Sequence, residues 1–440
     1  MLTYCYKVIL RVGVSMKPNQ LMAEIIGGRM DAVFEKLYGK DRIDRQRLRY
    51  TQTLERFLQH FPERDDIRLY SAPGRTELGG NHTDHQHGCA LAAAVDQDAL
   101  AAVAYHEENV IRIYSEDYGL CEVSLSDLSV HDDEKGKTAS LIRGIAARFS
   151  QMGADISGFD AYVASDVLSG SGLSSSAAFE ILLAAIIDDH DNGGSAGAAE
   201  LAKTGMFAEN VYFGKGSGLL DQMVSAVGGF VFLDFADPDR PVVRKIHFDF
   251  EAAGYSLCII DTKGSHSDLS EEYTAVPREM KTVAALFGKD VLRDVDEAAF
   301  FGSIPQLRKS CSDRAVLRAI HFFDENRRAI EEAEALQRGD SERFLTLYRR
   351  SADSSANLLQ NLYSVNKPTE QGIPLAITMS RRVLGENAAV RVHGGGFAGT
   401  IQAIVPADKT SVYADRMDTL FGKGSCRVVR VRPIGGVRII

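Results

Sequence analysis

Hydrophobic positions recur at helical spacing across residues 20–60, where Met30, Val33, Phe34 and Leu37 share one face, and this predicts amphipathic helices at the start of the chain. The period then changes. Residues 67–72 read as a short strand, 110–115 alternate like a half-exposed strand, and 159–165 form another strand pattern. Residues 91–103 are rich in alanine and valine, residues 179–187 have the length and apolar content of a buried helix, and 196–212 read as a helix. Farther on, 230–235 and 256–261 read as buried strands, separated by the turn-rich Asp237-Pro238-Asp239-Arg240-Pro241. Long helical patterns follow at 314–336, with Val316, Ile320, Phe323 and Ile330 on one face, and at 341–363. Two strand-like segments, 389–392 and 401–405, flank a glycine run.

Three polar, glycine-rich interruptions carry the chemistry. The first, Leu168-Ser169-Gly170-Ser171-Gly172-Leu173-Ser174-Ser175-Ser176-Ala177-Ala178, joins a strand pattern to a helix pattern. Glycines let backbone N–H groups approach a ligand, and the helix start adds unpaired N–H groups and partial positive charge, so the stretch reads as a cradle for a polyphosphate. A turn that only caps a helix remains the plain alternative. No lysine follows in P-loop spacing, and the third glycine of a dinucleotide fingerprint is missing.

The second, Pro73-Gly74-Arg75-Thr76-Glu77-Leu78-Gly79-Gly80-Asn81-His82-Thr83-Asp84-His85-Gln86-His87-Gly88, has too many ionisable groups for a core and reads as a functional loop. His82, His85 and His87 admit a metal site, but their spacing fits no zinc pattern. The third, Gly214-Lys215-Gly216-Ser217-Gly218-Leu219-Leu220-Asp221, can turn tightly and present Asp221 at a cleft or use it to cap a helix.

Composition narrows the class. At 440 residues, 45% hydrophobic and 25% charged, the chain suits a soluble two-domain protein. Its net charge of −10 disfavours nucleic acid or an anionic membrane as the main partner, and no apolar run approaches the ~20 residues of a bilayer span. Six scattered cysteines without a C-x-x-C pair read as reduced thiols of a cytoplasmic protein. Residues 1–15 lack the features of a signal peptide, and Met16 is the expected natural start.

The phosphate-cradle stretch resembles the second motif of the GHMP small-molecule kinases, the superfamily of galactokinase, homoserine kinase, mevalonate kinase and phosphomevalonate kinase, with Leu168 in place of a usual proline. The 73–88 stretch is similar to the galactokinase sugar motif: Arg75, His82 and Asp84 match, while Glu77, Asn81 and His85 replace the usual Asn, Glu and Tyr. Ala208, Glu209, Gly214, Gly218, Asp221 and Gln222 match a further galactokinase pattern without a gap. Residues 262–273 resemble another segment in part, through His266, Leu269, Glu272 and Tyr273. The run 394–399 resembles the third motif, with His393 and Ala398 replacing threonine and glycine.

This resemblance implies an α+β, two-domain GHMP kinase fold, with domains at 16–240 and 241–440 and the active site in the cleft between them. It implies transfer of phosphate from ATP to galactose, giving α-D-galactose 1-phosphate. Asp221 would be the general base and Arg75 its charged neighbour; Gly170, Ser171, Gly172, Leu173, Ser174, Ser175, Ser176 and Ala177 would hold the phosphates; Ser176 and Glu209 would hold Mg²⁺. Asn81, His82, Asp84, Gly218 and Tyr273 would meet the sugar, a small-molecule partner, in a monomer or weak homo-oligomer. In galactokinases the Glu replaced by Asn81 receives sugar hydroxyls including that on C6. The change opens an alternative in which the sugar is galacturonate or another C6-modified or N-acetylated galactose. A non-catalytic galactose sensor and a metal-dependent hydrolase built on His82, His85 and His87 are the readings from other classes.

Overall fold

The helical spacing at the start of the chain produces α1 (Pro18–Ile26), α2 (Asp31–Tyr38) and α3 (Ile43–His60). A computed structural model describes residues 16–167, 172–264 and 269–440. The strand predicted from residue 67 becomes β1 (Arg68–Gly79), which runs seven residues past its expected end and takes in the start of the polar 73–88 stretch. Its register against the next strand shifts between Pro73 and Arg75 and again between Glu77 and Gly79. Such bulges re-aim side chains, here around Arg75.

The next strand, β2 (Cys89–His106), is the axis of the first sheet. Its first residues pair with β6 (Phe230–Asp234), its last with β5 (Gly158–Ser165), and β1 runs along its other edge. β3 (Val110–Ser115), β4 (Gly119–Ser124), β7 (Val242–Ile246) and β12 (Val437–Arg438) complete eight strands, all antiparallel except the β3–β5 pair. Alternate residues of β2 enter different cores. Ala99, Ala101 and Val103 face α4 (Thr138–Gln151), α5 (Ser175–Asp191), α6 (Ala198–Phe207) and α7 (Leu220–Val227), while Leu100, Ala102 and Ala104 face α1 to α3. The strand period of two assigns these sets to opposite faces, so both faces of the sheet are covered.

The second sheet is four-stranded and antiparallel, in the order β11 (Cys426–Val429), β8 (Tyr255–Asp261), β10 (Thr400–Pro406), β9 (Ala389–Val392). Helices α12 (Ser341–Ser354), α13 (Gly372–Leu384) and α14 (Thr410–Phe421) pack against it, while α11 (Asp313–Gln337) lies on β2 of the first sheet and carries α8 (Ser270–Ala285), with the short α9 (Glu297–Gly302) and α10 (Ile304–Ser310) before α11. The helix expected over 341–363 stops earlier: α12 ends at Ser354, a π turn spans Ser355–Leu359, and Gln360 takes φ +61°. A division after residue 240 does not separate the sheets, because β7 lies beyond it and pairs with β6, and β12 returns to pair with β1. Among the described residues no helix is long and apolar enough to cross a membrane.

Candidate active site

Arg75 leaves β1 at its first bulge and reaches Asp221 in the first turn of α7, Nε to Oδ1 at 2.5 Å and Nη2 to Oδ2 at 2.6 Å. Its Nη1 donates to the carbonyl of Gly172 at 2.6 Å, and its backbone N–H to that of Leu173 at 2.9 Å. Ser174, the residue preceding α5, donates its hydroxyl to Asp221 Oδ2. The base candidate, its guanidinium and the serine-rich turn therefore form one bonded group. Backbone shape makes this possible: a Cβ on Gly74 would lie 2.6 Å from Leu173 O, so a side chain there would part β1 from the turn.

Burial pushes the Asp221 carboxyl up, but the charge and hydrogen bonds of Arg75, with that of Ser174, outweigh it and hold the group below its ordinary 3.8. Asp221 is thus held as a carboxylate. Asp84 stands against the loop that leads to α7: a Cβ on Gly218 would lie 2.9 Å from Asp84 Oδ2, so the glycine leaves that carboxylate space.

A second group lies along α5. Ser176 Oγ is 3.4 Å from Glu209 Oε1, and Ser217 Oγ donates to Glu209 Oε2 at 2.6 Å. Glu209 belongs to a π turn, Ala208–Phe213, that ends at Gly214 with φ +83°. Gln222, next to Asp221, gives one N–H to Glu209 Oε2 and the other to Glu180 Oε2, each at 2.9 Å. Burial, with Glu209 nearby, pushes the Glu180 carboxyl well up, and Gln222 bridges it to Glu209. Ser175, Ser176, Glu209 and Lys215 line a cavity of about 1400 Å³ that continues past Phe179, Thr138 and Tyr118 to Gln52 and Arg56 of α3. One serine hydroxyl and one carboxylate facing a large cavity suit a hard divalent cation that takes its remaining oxygens from phosphate and water.

The 73–88 stretch is held by the glycine run between β9 and β10. Asn81 Nδ2 donates to Gly394 O at 2.8 Å, His82 Nε2 lies 2.9 Å from Gly395 O, and the Tyr273 hydroxyl donates to Gly396 O at 3.0 Å. Asn81 is buried, and its amide also donates to Glu77 Oε1 at 3.0 Å while its Oδ1 accepts from Asn361 Nδ2 at 2.9 Å. Its polar ends are therefore engaged inside the protein. Burial pushes the His82 imidazole down to about 4, and also pushes the Glu77 carboxyl up to about 7 against the pull of Arg391. His82 is neutral at ordinary pH.

Leu173 and Ala177 are buried, while Ser175 opens α5 at the cavity. Gly170, Ser171 and His266 lie outside the described residues. Among the described residues no group of three or more His, Cys, Asp or Glu could hold a metal ion, and His85 is exposed, 3.8 Å from Asp84. Several supporting residues escaped the sequence reading. His321 and Glu325 of α11 are buried, His321 Nε2 lying 2.8 Å from Asn81 O and Glu325 Oε1 accepting from Gly80 N–H at 3.2 Å. Polar residues interrupting an apolar helix face were their one signal. His393 also has a place, 2.9 Å from Thr76 Oγ1 and 3.0 Å from Thr400 Oγ1, where burial pushes it down to about 3.

The galactokinase galactose-binding signature matches residues 55–105, and the N-terminal domain model of the GHMP kinases matches 140–229. A galactokinase of Streptomyces coelicolor is 30% identical over 415 residues, covering 93% of this chain and 97% of that protein. One of Actinobacillus pleuropneumoniae is 30% identical over 346 residues, 77% of this chain and 85% of that one. Among solved structures, a Lactococcus lactis galactokinase complexed with galactose superposes with a TM-score of 0.75 at 22% identity, covering 89% of this chain and 99% of that one. A mevalonate kinase does so with a TM-score of 0.59 at 15% identity, covering 82% and 98%. The two-sheet α+β architecture is thus the GHMP kinase fold.

Proposed function

The chain belongs to the galactokinase family of GHMP kinases, sugar phosphotransferases that use ATP, and on that premise we propose that it phosphorylates the anomeric hydroxyl of galactose to give α-D-galactose 1-phosphate. The observation that carries the reading is the two-pronged contact of Arg75 with Asp221, bonded through Ser174 to the start of α5. A helix N-terminus and serine hydroxyls favour the phosphates, and Asp221 supplies a carboxylate at the same place.

In the proposed reaction Asp221 takes the proton of the attacking hydroxyl. Because Arg75 holds the carboxyl low, the proton moves late, once bonding to phosphorus has acidified the hydroxyl. Arg75 keeps the acceptor ionised and bound in one orientation. Asp84, next to Gly218, accepts sugar hydroxyls and orients the ring, while Asn81, His82 and Tyr273 shape the sugar loop against Gly394 to Gly396. Ser176 and Glu209 would hold Mg²⁺, which when bound neutralises phosphate charge.

A second reading has an observation of its own. Asn81 is neutral where the motif usually carries an acid, and its amide is spent on Glu77, Gly394 and Asn361, so a sugar with a C6 carboxylate meets no fixed anion at that residue. Assays of ADP release with Mg·ATP and galactose, galacturonate or N-acetylgalactosamine, with ³¹P NMR of the product, separate the readings. An anomeric phosphate on galactose at the highest kcat/KM supports the first. A preference for galacturonate replaces it with the second, and sugar binding without turnover would mark a sensor.

A further inference from the structure

The loop after the π turn aims a cation into the cavity at a position that the family motif leaves open. Lys215 Nζ donates to Glu209 Oε1 at 2.8 Å and its backbone N–H to Glu209 O at 3.1 Å. Its side chain is 61% exposed and lines the same cavity as Ser175 and Ser176. The loop is fixed by its own bonds, Ser217 N–H to Asn210 Oδ1 at 2.7 Å and Asn210 Nδ2 to Ser217 O at 3.2 Å. Flanked by Gly214 and Gly216, the ammonium group shares Glu209 Oε1 with Ser176 of the first turn of α5 and sits on a stem with four rotatable bonds.

From this geometry we propose that Lys215 is a catalytic residue that contacts the β-phosphate of the nucleotide, neutralising the charge that builds on the ADP leaving group as the terminal phosphate is transferred. The inference rests on the kinase reading. The oxygen that Lys215 uses, Glu209 Oε1, is also the one nearest Ser176 Oγ, and a divalent cation held by those two groups would put like charges side by side. The exposed ammonium is then free to turn to another anion. Asp221 is engaged by both prongs of Arg75, and Glu180 lies buried behind Gln222. Glu55, Glu116, Asp117 and Asp166 also line the cavity, but phosphate oxygens at the start of α5 would lie beside Ser176, which shares Glu209 Oε1 with Lys215, and a lysine bonded to them makes a charge-assisted contact.

Calorimetric binding of Mg·ADP and of adenosine to the full chain, for wild type, Lys215→Ala and Lys215→Arg, tests this without turnover. The expected result is a 10- to 100-fold weaker Kd for Mg·ADP in Lys215→Ala, about the range of a charge-assisted hydrogen bond, with adenosine unchanged and substantial recovery in Lys215→Arg. Steady-state kinetics of Lys215→Ala should show lower kcat with the sugar KM retained. Unchanged Mg·ADP affinity in Lys215→Ala overturns the proposal and leaves Lys215 as a counter-ion of Glu209. Should the alanine variant misfold, acylation of Lys215 in the wild type, read by peptide mass spectrometry, decides instead: protection by Mg·ADP but not by Mg²⁺ alone supports the contact, and equal labelling refutes it. A wild type that binds no Mg·ADP would sink the kinase reading itself, a result distinct from any of these.

Discussion

Arg75 and Asp221 form a bidentate pair, 2.5 and 2.6 Å, in which the arginine side chain is 13% exposed and the aspartate 29%. Burial alone would raise the carboxyl, so the guanidinium sets the protonation state of the proposed base. Replacing Arg75 by Gln removes the lowering charge and leaves the burial. The expected outcome is that the acidic limb of kcat/KM, which in the wild type lies below the ordinary carboxylate range, moves upward. Rates measured from pH 4 to 8 check it, and an acidic limb that stays in place counts against Asp221 as the acceptor.

Gly172 tests the joint between the phosphate turn and the second sheet. Its φ is +73°, and a Cβ there would lie 2.7 Å from His393 Nδ1 and 2.9 Å from Thr400 Oγ1. Gly172→Ala must therefore either twist the turn that accepts the Arg75 bond or push His393 off its threonine partners. A loss of roughly 1–3 kcal/mol in stability is expected from such strain, together with lower kcat. Urea unfolding and initial rates on the same preparation measure both.

What could be read from the sequence follows from where periodicity is visible. α3 and α11 show one apolar stripe and stand close to where spacing put them. β2 shows no alternation because both its faces are buried, and an alanine-rich run of that kind fits several structures. Arg75, Ser174 and Asp221 were legible as motif positions, yet their mutual bonding depends on a β1 bulge and a positive φ at Ser174, which no periodicity announces. Asn81 illustrates the opposite limit. A polar residue in a polar stretch reads as ligand-facing, and its burial comes from Asn361, His321 and Gly394, all far along the chain.

Glu77 and Asn81 hold an acid and an amide in exchanged order relative to the usual motif, and they are bonded to each other at 3.0 Å. Asn81→Glu alone would set two carboxyl groups together in a buried site and remove the donor to Gly394 O. The double exchange, Glu77→Asn with Asn81→Glu, restores one acid and one amide. Denaturation of the wild type, both single variants and the double variant should give a favourable coupling of about 0.5–3 kcal/mol. Strict additivity would mean that the two positions act independently.

Gln222 ties the proposed metal ligand to the neighbourhood of the base. Its N–H groups reach Glu209 and Glu180, and Asp221 precedes it in α7. Gln222→Leu keeps much of the volume but frees one Glu209 oxygen from a donor that fixes its direction. Outer-shell partners of this kind typically matter 10- to 100-fold for a bound metal. The expected effect is therefore a rise of about that size in the Mg²⁺ concentration needed for half-maximal rate, with the sugar KM little changed because the Arg75–Asp221 pair is untouched. Titration of Mg²⁺ at fixed ATP and saturating sugar measures it, alongside metal binding monitored by calorimetry in the absence of sugar. A variant with wild-type Mg²⁺ dependence and lowered thermal stability would show that the bridge serves packing alone.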